Sequence, residues 1–224
     1  MENKYTGKML LVSGILLLAS FQMNAQSFKR GSFVINLSEG STTAKYSTTS
    51  GIHTLESENG STGEIIGVRD PLTIEYGLSN RWGIGSTWGT DFYYLNPAAF
   101  YGFRVSGNKV KVSTDEYTIN GSYHFFITKR IDLAAVTSFG TLSVAMKGSD
   151  NDFSYQYKAS GAILRLGIHA RYYVYKRIGV LAMLTTYTSS CNTQGIKGNT
   201  VGSGYKTGIS GHALEFGLCY RVTR

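Results

Sequence analysis

The chain has 224 residues and a formal net charge of +8, with 27 Gly, 16 Tyr and 11 Phe against only 2 Pro. Beyond residue 25 no apolar run reaches the roughly 18 residues of a spanning helix, which excludes a helical membrane protein. Abundant Gly and Tyr with little Pro suits long strands, with aromatics at membrane–water interfaces.

The chain opens on an export pattern. Lys4 and Lys8 precede the apolar core Met9 to Ala19, and Met23-Asn24-Ala25 offers a cleavage site. Residues 1–25 are therefore expected to be a cleavable signal peptide and residues 26–224 the mature domain. No Cys follows the apolar core, so a lipid anchor is not expected. Export also argues against nucleic acid as the partner of the basic charge. That charge reads either as attraction to anionic headgroups or as ordinary decoration of turns and loops.

The first strand is expected over Gly31–Lys45, with Phe33, Ile35 and Leu37 on one face and Val34, Asn36 and Ser38 on the other. Residues 46–63 are polar and small, a long loop. The second strand runs from about Glu64 to Leu78, and Ser79-Asn80-Arg81 is a tight turn. The third, Trp82–Leu95, places Gly83, Gly85 and Gly89 on its inner phase, leaving room for bulky inner neighbours or letting the sheet curl. A second long loop spans 96–111. The fourth strand is Val112–Ile127, followed by the turn Thr128-Lys129-Arg130. The fifth, Ile131–Met146, alternates poorly, and a bulge is inferred near Ser138 to Gly140. Residues 147–158 read as a third long loop.

The stretch Ala162 to Leu184 carries the clearest signal. Ala162, Leu164, Leu166, Ile168, Ala170, Tyr172 and Val174 alternate with Arg165, Gly167, His169 and Arg171, the period of a strand with two unlike faces. A helix would place Arg165 and His169 in its apolar stripe. Tyr175-Lys176-Arg177 turns the chain into the seventh strand. Residues 191–206 form a fourth long loop. The eighth strand sends Leu214, Phe216, Leu218 and Tyr220 outward and Ala213, Glu215, Gly217 and Cys219 inward. Ile84, Leu166, Ile168 and Phe216 are expected to meet hydrocarbon.

The fold class predicted is all-β: an eight-stranded antiparallel up-and-down transmembrane β-barrel, its connections alternating long and short. The three short turns each carry Arg followed by Trp or Ile, a weak internal repeat with one copy per hairpin. By the same asymmetry the short turns face the periplasm and the long loops face outward. Cys191 and Cys219 fall at opposite ends of the barrel wall, roughly 25 Å apart, too far for a disulfide, and are expected free.

The stretch TIEYGLSNRWGIG at residues 73–85 and the terminal HALEFGLCYRVTR resemble hairpins and the closing strand of the small outer-membrane β-barrel domain family, of the OmpA-transmembrane or OmpX kind. The chain departs from that pattern in ending on Arg224 rather than Phe. The resemblance implies residence in the cell outer membrane, a surround of outer-membrane lipid, and the barrel-assembly machinery as a partner during biogenesis. It is specific for architecture and silent on role, because many functions share the barrel.

Site chemistry is sparse. Glu75, Asp91, Glu116, His124, Arg165, His169, Arg171 and Glu215 all fall on the inward phase of their strands. An unpaired charge in a narrow lumen costs several kcal/mol, so an ionic cluster is expected, with Arg165 and Arg171 reaching acids such as Glu215, Glu75 or Asp91. The alternative is that these groups sit in lumen water. Ser210, His212 and Glu215 are residue types of an acyl-transfer triad, but Glu215 points opposite to the other two. No metal-ligand spacing and no phosphate-cradling Gly loop occurs, so no cofactor is expected. Glu56-Ser57-Glu58 with Glu64 reads as a solvated face or a calcium or partner site. Phe92, Tyr93, Tyr94, Phe100, Tyr101 and Phe103 read as an outer aromatic belt or an adhesive tip.

An eight-stranded barrel is just wide enough to be filled by side chains. The function expected is therefore a structural or surface-interaction role without catalysis, with the long loops meeting a surface ligand or protein partner. A narrow pore or small-ligand carrier is the first alternative. A lipid-modifying enzyme is the second.

Overall fold

The computed structural model describes residues 27–49, 54–55, 65–95, 110–150, 153–197 and 206–222. The expected signal peptide, the acidic piece Glu56-Ser57-Glu58 with Glu64, His53, Phe100, Tyr101 and Phe103 lie outside the described residues.

Period-two alternation produces eight long strands: β1 (Phe33–Thr49), β3 (Ile65–Gly77), β4 (Trp82–Leu95), β5 (Val110–Ile127), β6 (Ile131–Asp150), β7 (Phe153–Tyr175), β8 (Ile178–Lys197) and β9 (Lys206–Val222). A two-residue strand, β2 (Thr54–Leu55), pairs only with the end of β1. Each long strand pairs antiparallel with its sequence neighbour. β1 and β9 then pair from Phe33↔Val222 to Thr49↔Lys206, which closes the barrel and leaves no long strand with an open edge.

The barrel is apolar outside and charged inside. Ile84, Leu166, Ile168 and Phe216 are 45%, 50%, 56% and 60% exposed, whereas Arg69, Glu116, Arg171 and Glu215 are at most 1% exposed. Contact with water would penalise so large an exposed apolar exterior, and lipid removes that contact. On β7 the exposed apolar side chains run from Leu164 to Val174, close to the roughly 9–11 residues that a tilted strand needs to cross hydrocarbon. β8 shows the same edge, with Val180 and Leu184 giving way to exposed Thr186, Thr188, Ser190 and Asn192.

Strand therefore continues well past the apolar band. Residues 147–158, expected as a loop, are largely strand: 147–150 extend β6, 153–158 begin β7, and they pair from Lys147↔Gln156 to Asp150↔Phe153. Residues 46–49 and 191–197 are likewise strand. Beyond the membrane both faces of a hairpin are wet, so the apolar alternation that reveals a strand disappears from the sequence.

The bulge expected near Ser138 to Gly140 is not there. Register runs unbroken through Asn120↔Ser138 and Thr118↔Gly140, and the irregularity falls at Phe125, between His124 and Phe126. β6 alternates poorly for another reason: Leu142 and Val144 face inward and are buried. The Phe125 bulge leaves Phe125 and Phe126 both exposed. Tyr220, assigned outward by alternation, is buried at the short-turn end of β9.

The Arg-bearing turns have a shared backbone role. The carbonyls of Arg81, Arg130 and Arg177 accept from the N–H groups of His124, Tyr173 and Arg221 at 2.8, 2.7 and 2.8 Å. Each turn is thereby tied to the turn-side end of the strand that follows its hairpin, β5, β7 or β9, and the weak repeat marks a repeated backbone contact.

Candidate functional site: a layered lumen

Three layers fill the lumen. At the long-loop end Tyr93, Leu142, Val144, Ile163, Tyr187 and Ile209 belong to one buried apolar cluster. Each fully buried side chain of this size contributes about 1.5–3 kcal/mol. The middle is ionic. The short-turn end holds Val34, Tyr173 and Cys219. It is covered by the segment before β1, where Phe28 stacks on His124 with ring centroids 3.5 Å apart and planes 14° apart. That segment is anchored by hydrogen bonds from Ser27 N–H to the Thr128 carbonyl at 3.1 Å and from Gly31 N–H to the Gly77 carbonyl at 2.8 Å. Gly31 has φ 77°, so its turn needs glycine.

The upper ionic group centres on Arg69. Its Nε–H donates to Glu215 at 2.9 Å, and its Nη1 reaches Asp91 at 2.8 Å and Glu116 at 3.1 Å. Arg165 closes the group, with Nη2 at 2.5 Å from Glu116 and 3.4 Å from Asp91. Its guanidinium lies 4.2 Å from the Tyr187 ring centre, so the apolar layer roofs the ionic one. Tyr93 and Tyr187 hydroxyls meet at 2.8 Å, and Tyr93 donates to Asp91 at 3.0 Å. Tyr93 is thus a lumen residue and not part of an aromatic belt, because odd positions of β4 face inward.

The lower group is built on Arg171. It donates to Glu75, and to Asp132 at 3.1 Å. His124 lies between the same two acids, with Nε2 at 3.0 Å from Glu75 and Nδ1 at 2.6 Å from Asp132. A neutral imidazole has one N–H to give, so two carboxylates leave one contact unsatisfied unless a second positive charge is present. His169 is buried, with its ring centroid 5.8 Å from that of His124 and its Nε2 without a hydrogen-bond partner. A cavity of about 40 Å³ joins the two groups and is bordered by Arg69, Glu75, Glu116, His169, Arg171 and Glu215. That is space for a few waters at most.

All eight acids, bases and histidines expected inside are buried, and they separate into two groups. Arg171 meets Glu75 and Asp132 rather than Glu215, while Glu215 meets Arg69. Arg165 meets Glu116 and Asp91 rather than Glu75. The sequence reading missed Arg69, Asp132 and Phe28. Arg69 shares the odd phase of Thr73 and Glu75, a signal that was present. Asp132 follows a turn and reads as a turn residue.

Two constellations bear on chemistry. Ser210 and His212 are exposed on the outer face while Glu215 is buried, so they form no triad. Ser122, His124 and Asp132 do have triad order, with Ser122 Oγ 3.3 Å from His124 Nε2 and Asp132 on Nδ1. However, the Ser122 hydroxyl also meets Glu75, and Phe28 covers the imidazole. A carboxylate stands where an incoming carbonyl would need to be. Cys191 and Cys219 are both free and buried.

No family model and no curated protein matches the chain. Solved structures do match in fold. The outer membrane protein OprG from Pseudomonas aeruginosa aligns with 88% of this chain and 98% of its own at 13% identity and a TM-score of 0.51. Outer membrane protease OmpT from Escherichia coli aligns with 90% of this chain and 99% of its own, at 12% identity and TM-score 0.47. Ail, the attachment invasion locus protein of Yersinia pestis, aligns with 86% of this chain and 99% of its own, at 13% identity and TM-score 0.42. Identity this low speaks of fold and not of activity. The fold is that of a small outer-membrane barrel.

Proposed function

We propose that this chain, an outer-membrane β-barrel by fold, is a sealed wall protein whose extended hairpins are its interaction surface. The observation that carries the reading is the layered lumen. A tyrosine-roofed apolar layer, a salt-bridged middle and the Phe28 cover stand in series, with a cavity of only about 40 Å³ between. Water-filled conduction needs a continuous wet path, which these layers interrupt. The hairpins support the second half. β7 has 23 residues, which at about 3.3 Å per residue and about 45° tilt give roughly 50 Å of height against roughly 30 Å of hydrocarbon. Wall function alone needs no such projection.

Purified barrel in a planar bilayer should show no conductance steps. Deleting 148–155, which removes the end of β6 and the start of β7 beyond the apolar band, should leave folding intact and unfolding free energy unchanged within about 0.5 kcal/mol. Stable unit conductance would instead favour the pore. A barrel that fails to fold without the tip would make the projection structural.

A further inference from the structure

We propose that Glu75, His124 and His169 form a lumen site for a divalent first-row transition metal. Their ligand atoms all lie within 4.8 Å of one another, and all three side chains are buried. They come from three strands, so no local spacing announces the site. Register assembles it. His124 pairs with Ala134, and Ala134 pairs with His169. The small Ala134 side chain lets the two imidazoles face each other across β6. Gly83 does the same for Glu75: an added Cβ there would lie 2.4 Å from the Glu75 carboxylate. With no side chain at Gly83, Glu75 reaches across β4 to His124.

Two observations point to a metal ion at this place. First, His124 Nδ1 is held by Asp132 at 2.6 Å. That arrangement fixes the tautomer and aims the Nε2 lone pair at Glu75, as in carboxylate–histidine–metal triads. Second, His169 Nε2 is buried without a partner. A second proton on His124 satisfies Glu75 and leaves His169 unexplained. A metal ion answers both. The 3.0 Å between His124 Nε2 and Glu75 corresponds to an angle of about 90° at a metal about 2.1 Å from each, while the 4.8 Å span of the whole set exceeds the about 4.2 Å that two such bonds reach, so binding has to draw the third ligand inward. Two imidazoles and one carboxylate select zinc, cobalt, iron, nickel or copper over calcium or magnesium.

The test uses untagged barrel, refolded in detergent after chelator treatment, with Co²⁺ as probe. The folded protein should take up one equivalent, develop a visible ligand-field band, and lose it to Zn²⁺. His169→Ala and Glu75→Gln should abolish the band. Asp132→Asn should weaken binding about 10- to 100-fold through His124. His212→Ala, on the outer face, should change nothing. Absence of binding to folded wild type, or binding that survives both His169→Ala and Glu75→Gln, overturns the site. Where a variant does not fold, X-ray absorption of the zinc-loaded wild type decides. Two imidazoles in the zinc shell support the site, and fewer overturn it.

Discussion

Arg69 of β3 and Glu215 of β9 are joined at 2.9 Å across the intervening β1, directly over Gly40. Gly40 is the register partner of both, and a Cβ there would lie 2.1 Å from the Leu214 carbonyl oxygen. The missing side chain lets the two charged groups meet where the barrel closes. Both are at most 1% exposed; Glu215 has Arg69 as its ion-pair partner, whereas Arg69 also meets Asp91 and Glu116. Removing Arg69 should cost about 3–5 kcal/mol, because it strands buried Glu215, and removing Glu215 should cost less, because Arg69 keeps two acids. The pair Arg69→Met with Glu215→Gln should cost less than the sum of the two changes. Urea unfolding in lipid or detergent measures the cycle, and strict additivity would mean that lumen water screens these charges.

Glu75 and Gly83 depend on each other in a similar way. The Glu75 carboxylate and the Ser122 hydroxyl occupy the space above Gly83, each 2.4 Å from where a Cβ would sit. Flexible side chains ordinarily move aside. These two are buried and hydrogen-bonded to each other, and Glu75 is held by Arg171 as well. Gly83→Leu should therefore destabilise by about 1–3 kcal/mol through overpacking. Gly121→Ala is the control, since its Cβ would meet nothing nearer than 3.8 Å. Equal stability of the two variants would disprove the crowding.

Much of this architecture is legible in the alternation, because lipid outside and charge inside impose opposite chemistry on successive residues. Leu164 to Val174 on β7 is the plainest case. Legibility fails where that contrast fails. Beyond the apolar band, residues 147–158 carry no apolar alternation and pass for a loop, although they pair as strand. On β6, Leu142 and Val144 face an apolar lumen layer and mimic a break in phase. The inward residues and a set of candidate acids could be named, but which acid each arginine meets could not. Pairing Arg171 with Glu75 and not Glu215 depends on which strands adjoin and on the glycines that open a path between them.

The exterior assignment gives a depth-dependent expectation. Ile168 is 56% exposed, in the middle of the apolar run of β7. Ile168→Arg places a guanidinium near the bilayer midplane and should cost about 2–4 kcal/mol. Ser190→Arg on β8, beyond the apolar run, should cost less than about 1 kcal/mol. Reversible unfolding from bilayers compares them. A larger penalty at Ser190 would move the hydrocarbon slab along the barrel.

Phe28 supplies the last expectation. It is 1% exposed, yet it belongs to the short segment before β1 and to no strand. Its ring lies on His124, while Ser27 beside it donates its hydroxyl to the Ile131 carbonyl at 2.8 Å. A side chain so placed is both packing and closure. Phe28→Ala removes the packing at about 3 kcal/mol and uncovers His124 from the short-turn side. Phe28→Leu retains most of the volume and should cost less than about 1.5 kcal/mol. Closure is separable from packing by solvent access. Diethyl pyrocarbonate added to folded barrel should modify His124 faster in Phe28→Ala than in wild type, with Phe28→Leu close to wild type. His212, on the outer face, should react at one rate in all three. If His124 reacts equally fast in wild type and Phe28→Ala, the segment before β1 does not cover the lumen, and the sealed reading loses its lower layer.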